Sequence, residues 1–200
     1  MAADRQQTCI SKDGTVKFLS ELNDGNRIET VLMSHEYGYS VCVSSQAGCN
    51  MGCAFCASGL MKKARDLTAQ EILGQVVSAA QAVPAANITH IVVMGTGEPF
   101  DNFDEVIRFC DLVSDEKKLK EYFPDGVLSP VAPRHITVST CGIIPGIEAF
   151  ANTPKRYNLA ISLHAPDDAI RNRLMPVNKA YPIRKLVQAA AARISPKRPA

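Results

Sequence analysis

Apolar and polar positions follow two different rhythms along this chain. From residue 14 to 34 they alternate: Val16, Phe18 and Leu22, then Ile28, Val31 and Met33, parted by Asn23-Asp24-Gly25-Asn26. Alternation broken by such a turn predicts a small β-hairpin. Beyond it the pattern changes. Ser40–Ser44 is a short β-branched run that reads as the first strand of the core. Thr68-Ala69-Gln70-Glu71 reads as a capping box, and Ile72, Leu73, Val76, Val77 and Ala80 follow at helical spacing up to Pro84. Ile88–Met94 is almost continuously apolar, as expected of a strand covered on both faces.

The same unit then recurs. Asn102 can cap a helix carrying Phe103, Val106, Ile107 and Cys110, and the stretch from about Ser114 to Arg134 reads as a surface loop. His135–Ser139 is a third strand, Pro145 opens a short helix with Ile147 and Phe150, and Leu159–Leu163 is a fourth strand. Asp167 or Asp168 caps the next helix, and a last helix begins near Pro182 with Ile183, Leu186, Val187 and Ala190. Strand alternating with helix predicts a parallel sheet with helical crossovers, either a barrel or a doubly wound sheet.

In such folds functional side chains gather at the carboxyl ends of the strands. Four motifs fall there. A cysteine loop follows the first strand, Gly95-Thr96-Gly97-Glu98-Pro99 the second, Ser139-Thr140-Cys141-Gly142 closes the third, and Ser162-Leu163-His164 the fourth. Gly95 and Gly97 allow close approach of a ligand, with the Glu98 charge suited to an ammonium group; as a plain turn the glycines are merely conformational. Ser139 and Ser162 can bond ribose or carboxylate, or simply satisfy strand-end backbone. His164 can meet a ligand or close a local hydrogen bond. Glu29, on the second hairpin strand, reads from pattern alone as a solvated residue.

The cysteine loop, Gly48-Cys49-Asn50-Met51-Gly52-Cys53-Ala54-Phe55-Cys56, has CxxxCxxC spacing. Thiolates suit iron–sulfur clusters and zinc. A structural zinc wants four protein ligands and would need Cys42 or His35 to complete the set. A four-iron cluster on three thiolates leaves one iron open to a substrate or cofactor. Phe55 can pack on an adenine or belong to the core. A disulfide pair with a spare thiol fits poorly, because the chain starts without an apolar signal core and its seven cysteines suit a reducing compartment. The net charge of +2 neither demands nor excludes nucleic acid, and no run of about 18 apolar residues predicts a membrane span. The 200 residues admit one domain with a small appendage.

CNMGCAFC resembles the signature of the radical S-adenosylmethionine (SAM) superfamily. VCVSSQAGC, CAFCASG, LTAQEILGQVV, VVMGTGEPFDNFDEV, HITVSTCGIIPGI and LAISLHAPDDAIRNRLMPVNKAY together resemble the adenine C2 methyltransferases of 23S ribosomal and transfer RNA, and their C8-methylating resistance relative. The likeness runs from about Glu29 to Tyr181. It implies an α/β fold, the N-terminal part of a partial (β/α)6 radical SAM barrel of about four βα units over residues 37–200, preceded by the hairpin over 1–36.

The resemblance also implies roles. Cys49, Cys53 and Cys56 would hold a 4Fe-4S cluster, and Gly97, Glu98, Ser139, Ser162, Leu163 and His164 would bind SAM. One SAM would methylate a cysteine near the family's C-terminus; a second would give a 5′-deoxyadenosyl radical that takes hydrogen from that methyl, before addition to adenine. Cys42 matches the cysteine that releases product through a disulfide, and Glu29 matches the proton acceptor. Implied partners are 23S rRNA, tRNA and an external electron donor, for a cytoplasmic monomer with no membrane contact. Lys62, Lys63, Arg65, Arg171 and Arg173 are candidates for phosphate contact. Cys141 stands where the family has serine. On this likeness the chain stops near the fifth strand, without the methyl-carrying cysteine or the N-terminal RNA-binding domain. Residues 194–200 do not read as barrel, and residues 1–200 alone are expected to methylate no RNA. A different radical SAM enzyme and a non-catalytic metal module are the alternatives.

Overall fold

The computed structural model describes residues 5–83, 87–123, 126 and 128–194; the expected helix stop at Pro84 and the tail from 195 lie outside them. The antiparallel part holds β1 (Arg5–Ile10), β2 (Val16–Glu21) and β3 (Arg27–His35), leading into β4 (Gly38–Val43). The expected hairpin therefore has a third strand. RQQTCI carries no alternation that would reveal β1, which pairs along β2 as the sheet edge. On β3, Ile28, Thr30 and Leu32 are buried, whereas Val31 and Met33 face the opposite side, so the apolar residues of this strand serve both faces.

After β4 come a short ribbon of β5 (Gln46–Ala47) with β6 (Arg65–Asp66), then α1 (Ala69–Ala82) and β7 (Ile88–Val93). Next are α2 (Phe103–Val113), α3 (Glu116–Tyr122), β8 (Ile136–Thr140), α4 (Ile144–Ala151), β9 (Asn158–Ile161), α5 (Asp168–Leu174) and α6 (Ile183–Ile194). The main sheet has the order β1-β2-β3-β4-β7-β8-β9. Strands β4, β7, β8 and β9 are parallel, and β1–β3 extend the same sheet antiparallel. The βα alternation leaves a barrel or a doubly wound sheet open; the four parallel strands run in sequential order, as in the barrel segment that the resemblance implies.

Val41, Val43, Ile91, Val93, Ile136 and Val138 alternate onto one face and are fully buried. Ile72, Leu73 and Val76 of α1, Val106, Phe109 and Val113 of α2, and Ile147 and Phe150 of α4 join them in one core cluster. Each such side chain contributes about 1.5–3 kcal/mol by leaving water. The Thr68–Glu71 capping box is present on α1, and Asp167 caps α5 by accepting from the Ile170 amide at 2.8 Å. Asn102 does not cap α2; its amide donates to the carbonyls of Ser45 (2.9 Å) and Leu67 (2.8 Å). The expected surface loop after Ser114 contains α3, which charge conceals: only Leu119 of EKKLKEY is buried.

Candidate active site

The parallel strands end along one rim, where the predicted motifs meet. Its base is a buried polar hub, Ser44-Ser45-Gln46, just after β4. Gln75 of α1 accepts from the Ser44 amide (2.8 Å) and the Thr30 hydroxyl (3.0 Å) and donates to the Ser44 carbonyl (2.9 Å). Ser44 Oγ donates to the Glu29 carbonyl and accepts from the Thr96 amide. Gln46 Oε1 accepts from the Glu98 amide at 2.8 Å. Gly97, at φ +111, lies so close to this hub that a Cβ would stand 2.7 Å from the Gln46 side chain. The close approach at Gly97 is therefore made by the protein's own hub.

The cysteine loop rises from that base. Gly48 sits at φ +80, and a Cβ there would come 2.3 Å from the Lys62 carbonyl oxygen, so only glycine closes the loop's neck. The Ala54 amide donates to the Leu174 carbonyl at 2.8 Å and docks the loop on α5. Cys49, Cys53 and Cys56 are half-buried. Burial pushes the Cys49 and Cys53 thiols up; charges on Cys56 and Glu98 add to this for both, as does Cys49 for Cys53. The three sulfurs thus share one electrostatic neighbourhood, and metal binding would have to draw the protons off.

Among the described residues no three His, Cys, Asp or Glu side chains are placed to hold a single metal ion. Zn–S bonds of about 2.3 Å would draw tetrahedral thiolates to roughly 4 Å from one another. A four-iron cluster would take each thiolate on a different iron and needs only the three cysteines of this loop, so the donor set fits that group by its chemistry. His35, the suggested fourth zinc ligand, lies at the other end of the sheet. There its ring stacks on Tyr37 (centroids 4.8 Å apart), next to His90 and His135.

Glu98 is buried and its carboxylate accepts from the Thr140 hydroxyl (2.7 Å), the Cys141 amide (2.7 Å) and the Phe100 amide (3.0 Å). It ties the end of β8 to the loop after β7, and so has a framework duty that the sequence did not reveal. Ser139 and Ser162 bond each other at 3.2 Å across β8 and β9. Leu163 is partly buried against the core. His164 is exposed at φ +57, with its ring 4.7 Å from that of Phe55. Phe55 is 52% exposed, so it belongs to the rim rather than the core. Burial and the Glu98 carboxylate push the Cys141 thiol far up.

Glu29 and Cys42 share a face of β3 and β4, because Val31 is the register partner of Cys42 and Glu29 lies two residues before Val31. The Glu29 carboxylate is ion-paired with Lys17. Burial raises the Cys42 thiol above its ordinary range. All seven cysteines are free thiols, so the expected disulfide at Cys42 is not formed; its strand neighbours Val31 and Val92 offer no sulfur. The candidate phosphate contacts also divide. Arg171 is wholly buried, Arg65 is held by Asp24 and Glu71, and Lys63 lies 2.8 Å from both Asp66 and Asp101, leaving Lys62 and Arg173 exposed. Sequence reasoning missed the Gln75, Asn102 and Arg171 bonds, since nothing local marks a polar side chain as buried.

Fold, loop and rim together define a SAM-dependent iron–sulfur enzyme core. The chain belongs to the radical SAM superfamily, whose sequence profile matches residues 43–196. The cofactors of that family are a 4Fe-4S cluster and SAM. The chain is 53% identical over 181 residues to a "Probable dual-specificity RNA methyltransferase RlmN" of Spiroplasma citri, covering 90% of this chain and 50% of that protein. The protein of the same name from Malacoplasma penetrans is 50% identical over 192 residues, covering 94% and 51%. The crystal structure of a radical SAM methyltransferase from Sphaerobacter thermophilus superposes with a TM-score of 0.87 at 39% identity, covering 97% of this chain and 55% of that one. The chain thus spans about half the length of the curated relatives it matches. Among the described residues no helix is long and apolar enough to cross a membrane.

Proposed function

We propose that this chain carries the cluster- and SAM-binding core of a methyltransferase acting on C2 of adenine in 23S rRNA and tRNA. The observation that carries the reading is the convergence of three loop thiols with Glu98, Ser139, Ser162 and His164 on one strand rim. Cys49, Cys53 and Cys56 hold the cluster and leave one iron for SAM. Bound together, the two supply a carbon radical able to remove hydrogen from an unactivated methyl group. The chain's own residues orient and shield it. Glu98 receives the SAM ammonium beside Gly97, and the paired hydroxyls of Ser139 and Ser162 meet its ribose and carboxylate. Leu163 and His164 border the adenine, near the exposed face of Phe55.

Glu29 and Cys42 complete the reaction from their shared face. Glu29, set by Lys17, accepts a proton from the adenine carbon. Cys42, shielded by burial until it loses its proton, attacks as a thiolate the sulfur of a second cysteine of the whole protein; the S–S bond forms as that sulfur's bond to the carbon on adenine breaks, and the carbon keeps the electron pair and takes a proton to become the methyl group. Single electrons come from an external donor. The free thiols suit a reducing cytoplasm, where the protein acts as a monomer on its RNA substrates.

Anaerobic reconstitution with iron and sulfide, read by electron paramagnetic resonance, tests the cofactor assignment. A cluster signal that changes on adding SAM, and is lost in Cys53→Ala, is expected; tetrahedral zinc taken up in preference to iron refutes it. Labelled SAM with ribosomal and transfer RNA, given to the whole protein, tests the reaction. Label at adenine C2 supports the proposal, and label at C8 assigns the other regiochemistry.

A further inference from the structure

Arg171 is the largest of the fully buried side chains. A guanidinium stays charged, and a buried charge is costly without a partner. Yet every acceptor Arg171 meets is neutral. Nε donates to the Leu163 carbonyl (3.0 Å), Nη1 to the Asn178 amide oxygen (2.7 Å), and Nη2 to the carbonyls of Cys141 and Ser162. The nearby carboxylates are occupied elsewhere. Asp168 accepts from Asn178 Nδ2 (2.8 Å) and the Ile183 amide (2.9 Å), and Glu98 from Phe100, Thr140 and Cys141.

The helix that carries Arg171 also holds the cysteine loop, through Leu174 and the amide of Ala54, the residue after Cys53. Gly52, the residue before Cys53, lies over the end of the same helix: a Cβ there would stand 3.7 Å from the Pro176 ring. A cluster on three thiolates places negative charge in that loop, and net charge is among the determinants of a cluster's potential.

We propose that Arg171 is a positioning residue whose buried positive charge favours the reduced state of the cluster held by Cys49, Cys53 and Cys56. Its fork meanwhile sets the Cys141, Ser162 and Leu163 carbonyls at the rim. The inference rests on the site reading above. One electron from the external donor would add one negative charge to the cluster, and a fixed cation on the helix that holds its loop would stabilise the product of that step. The guanidinium thereby gains counter-charge beyond that of Asp168, which lies one turn away on the same helix but bonds to Asn178 and Ile183.

The test is a redox titration of the reconstituted chain, followed by electron paramagnetic resonance, with Arg171→Met, Arg171→Gln and Arg171→Lys. Circular dichroism and iron content select folded, loaded protein; if the methionine variant fails to fold, the glutamine variant carries the comparison. The neutral variants should shift the cluster at least tenfold towards the oxidised form, a midpoint lower by about 59 mV for one electron. Arg171→Lys should keep a near-native midpoint but bind SAM more weakly, having lost the fork. A loaded neutral variant with the native midpoint overturns the proposal. So does a chain that folds with neither neutral residue, since Arg171 is then framework only. A native chain that forms no cluster overturns the site reading itself.

Discussion

Gln75 lies along the backbone of Ser44, with Oε1 accepting from its amide at 2.8 Å and Nε2 donating to its carbonyl at 2.9 Å. A helix side chain thus supplies both hydrogen bonds that a neighbouring strand would otherwise give, at the residue where β4 turns into the cluster loop. The arrangement fixes where the loop begins and leaves none of these groups unpaired. Replacing Gln75 by leucine would strand the Ser44 amide and carbonyl and the Thr30 hydroxyl in the core. Each buried orphan costs about 1–3 kcal/mol. Gln75→Leu should therefore lower the unfolding free energy by about 3 kcal/mol, measured by urea denaturation. Native stability in that variant would show that water or a rearranged backbone replaces the amide.

Glu98 is expected to have two separable duties. Its oxygens accept from Thr140, Cys141 and Phe100 inside the protein, and the proposed SAM ammonium is a further donor. In Glu98→Gln one oxygen becomes a donor, facing either the Cys141 amide or the Thr140 hydroxyl. A charge-assisted bond is worth about 1.5–3 kcal/mol. SAM affinity should fall at least tenfold and the melting temperature should drop, with the cluster spectrum unchanged. A lower melting temperature with native SAM affinity would assign Glu98 to the framework alone.

The other end of the sheet is expected to make stability depend on pH. His90 is stacked on His135, with ring centroids 4.5 Å apart, and meets Tyr37 edge-on, which in turn stacks on His35. Burial first, then the charges of His135 and His35, hold His90 below its ordinary value. A histidine depressed in the folded state binds fewer protons there than in the unfolded chain. Stability is therefore full above the unfolded value, near 6.5, and is lost as pH falls through the folded value. Thermal unfolding at pH 7.5 and pH 5.5 should show this loss, and His90→Gln should reduce it. The same slope in that variant would place the sensitivity elsewhere.

What the sequence reveals, and what it hides, follows from the range of each interaction. The CxxxCxxC spacing, the Thr68 capping box and the apolar run of β7 are signals within a few residues; the box and the strand appear where they were read, but β7 is not covered on both faces, since only Ile88, Ile91 and Val93 are buried and Met94 is half exposed. Strand β1 and helix α3 were hidden because residues 7–10 are exposed and EKKLKEY buries only Leu119, too little to leave a period. Burial of Arg171 and Gln75 is non-local: their partners lie as far as 30 and 45 residues away, and an isolated arginine or glutamine reads as solvated. Glu29 and Cys42 could be named only by resemblance; the β3–β4 register is what places them on one face.

Two glycines at the same backbone angle separate strain from packing. Gly25 and Gly48 both have φ +80, but a Cβ at Gly25 meets nothing within 4 Å, whereas at Gly48 it meets the Lys62 carbonyl oxygen at 2.3 Å. Gly25→Ala adds only the left-handed conformational cost, about 1–2 kcal/mol. Gly48→Ala adds a clash with backbone, which no rotamer change relieves. The neck of the cysteine loop must then open, moving Cys49, whose amide is bonded to the Met61 carbonyl across that neck at 3.1 Å. The core beneath lies outside the loop, so the fold should persist while the thiolate set is spoiled. Gly48→Ala is thus expected to keep near-native circular dichroism and lose most bound iron on reconstitution, while Gly25→Ala melts slightly lower and loads fully. Full iron loading in Gly48→Ala would show that the cluster tolerates an open neck and that the loop need not be rigid.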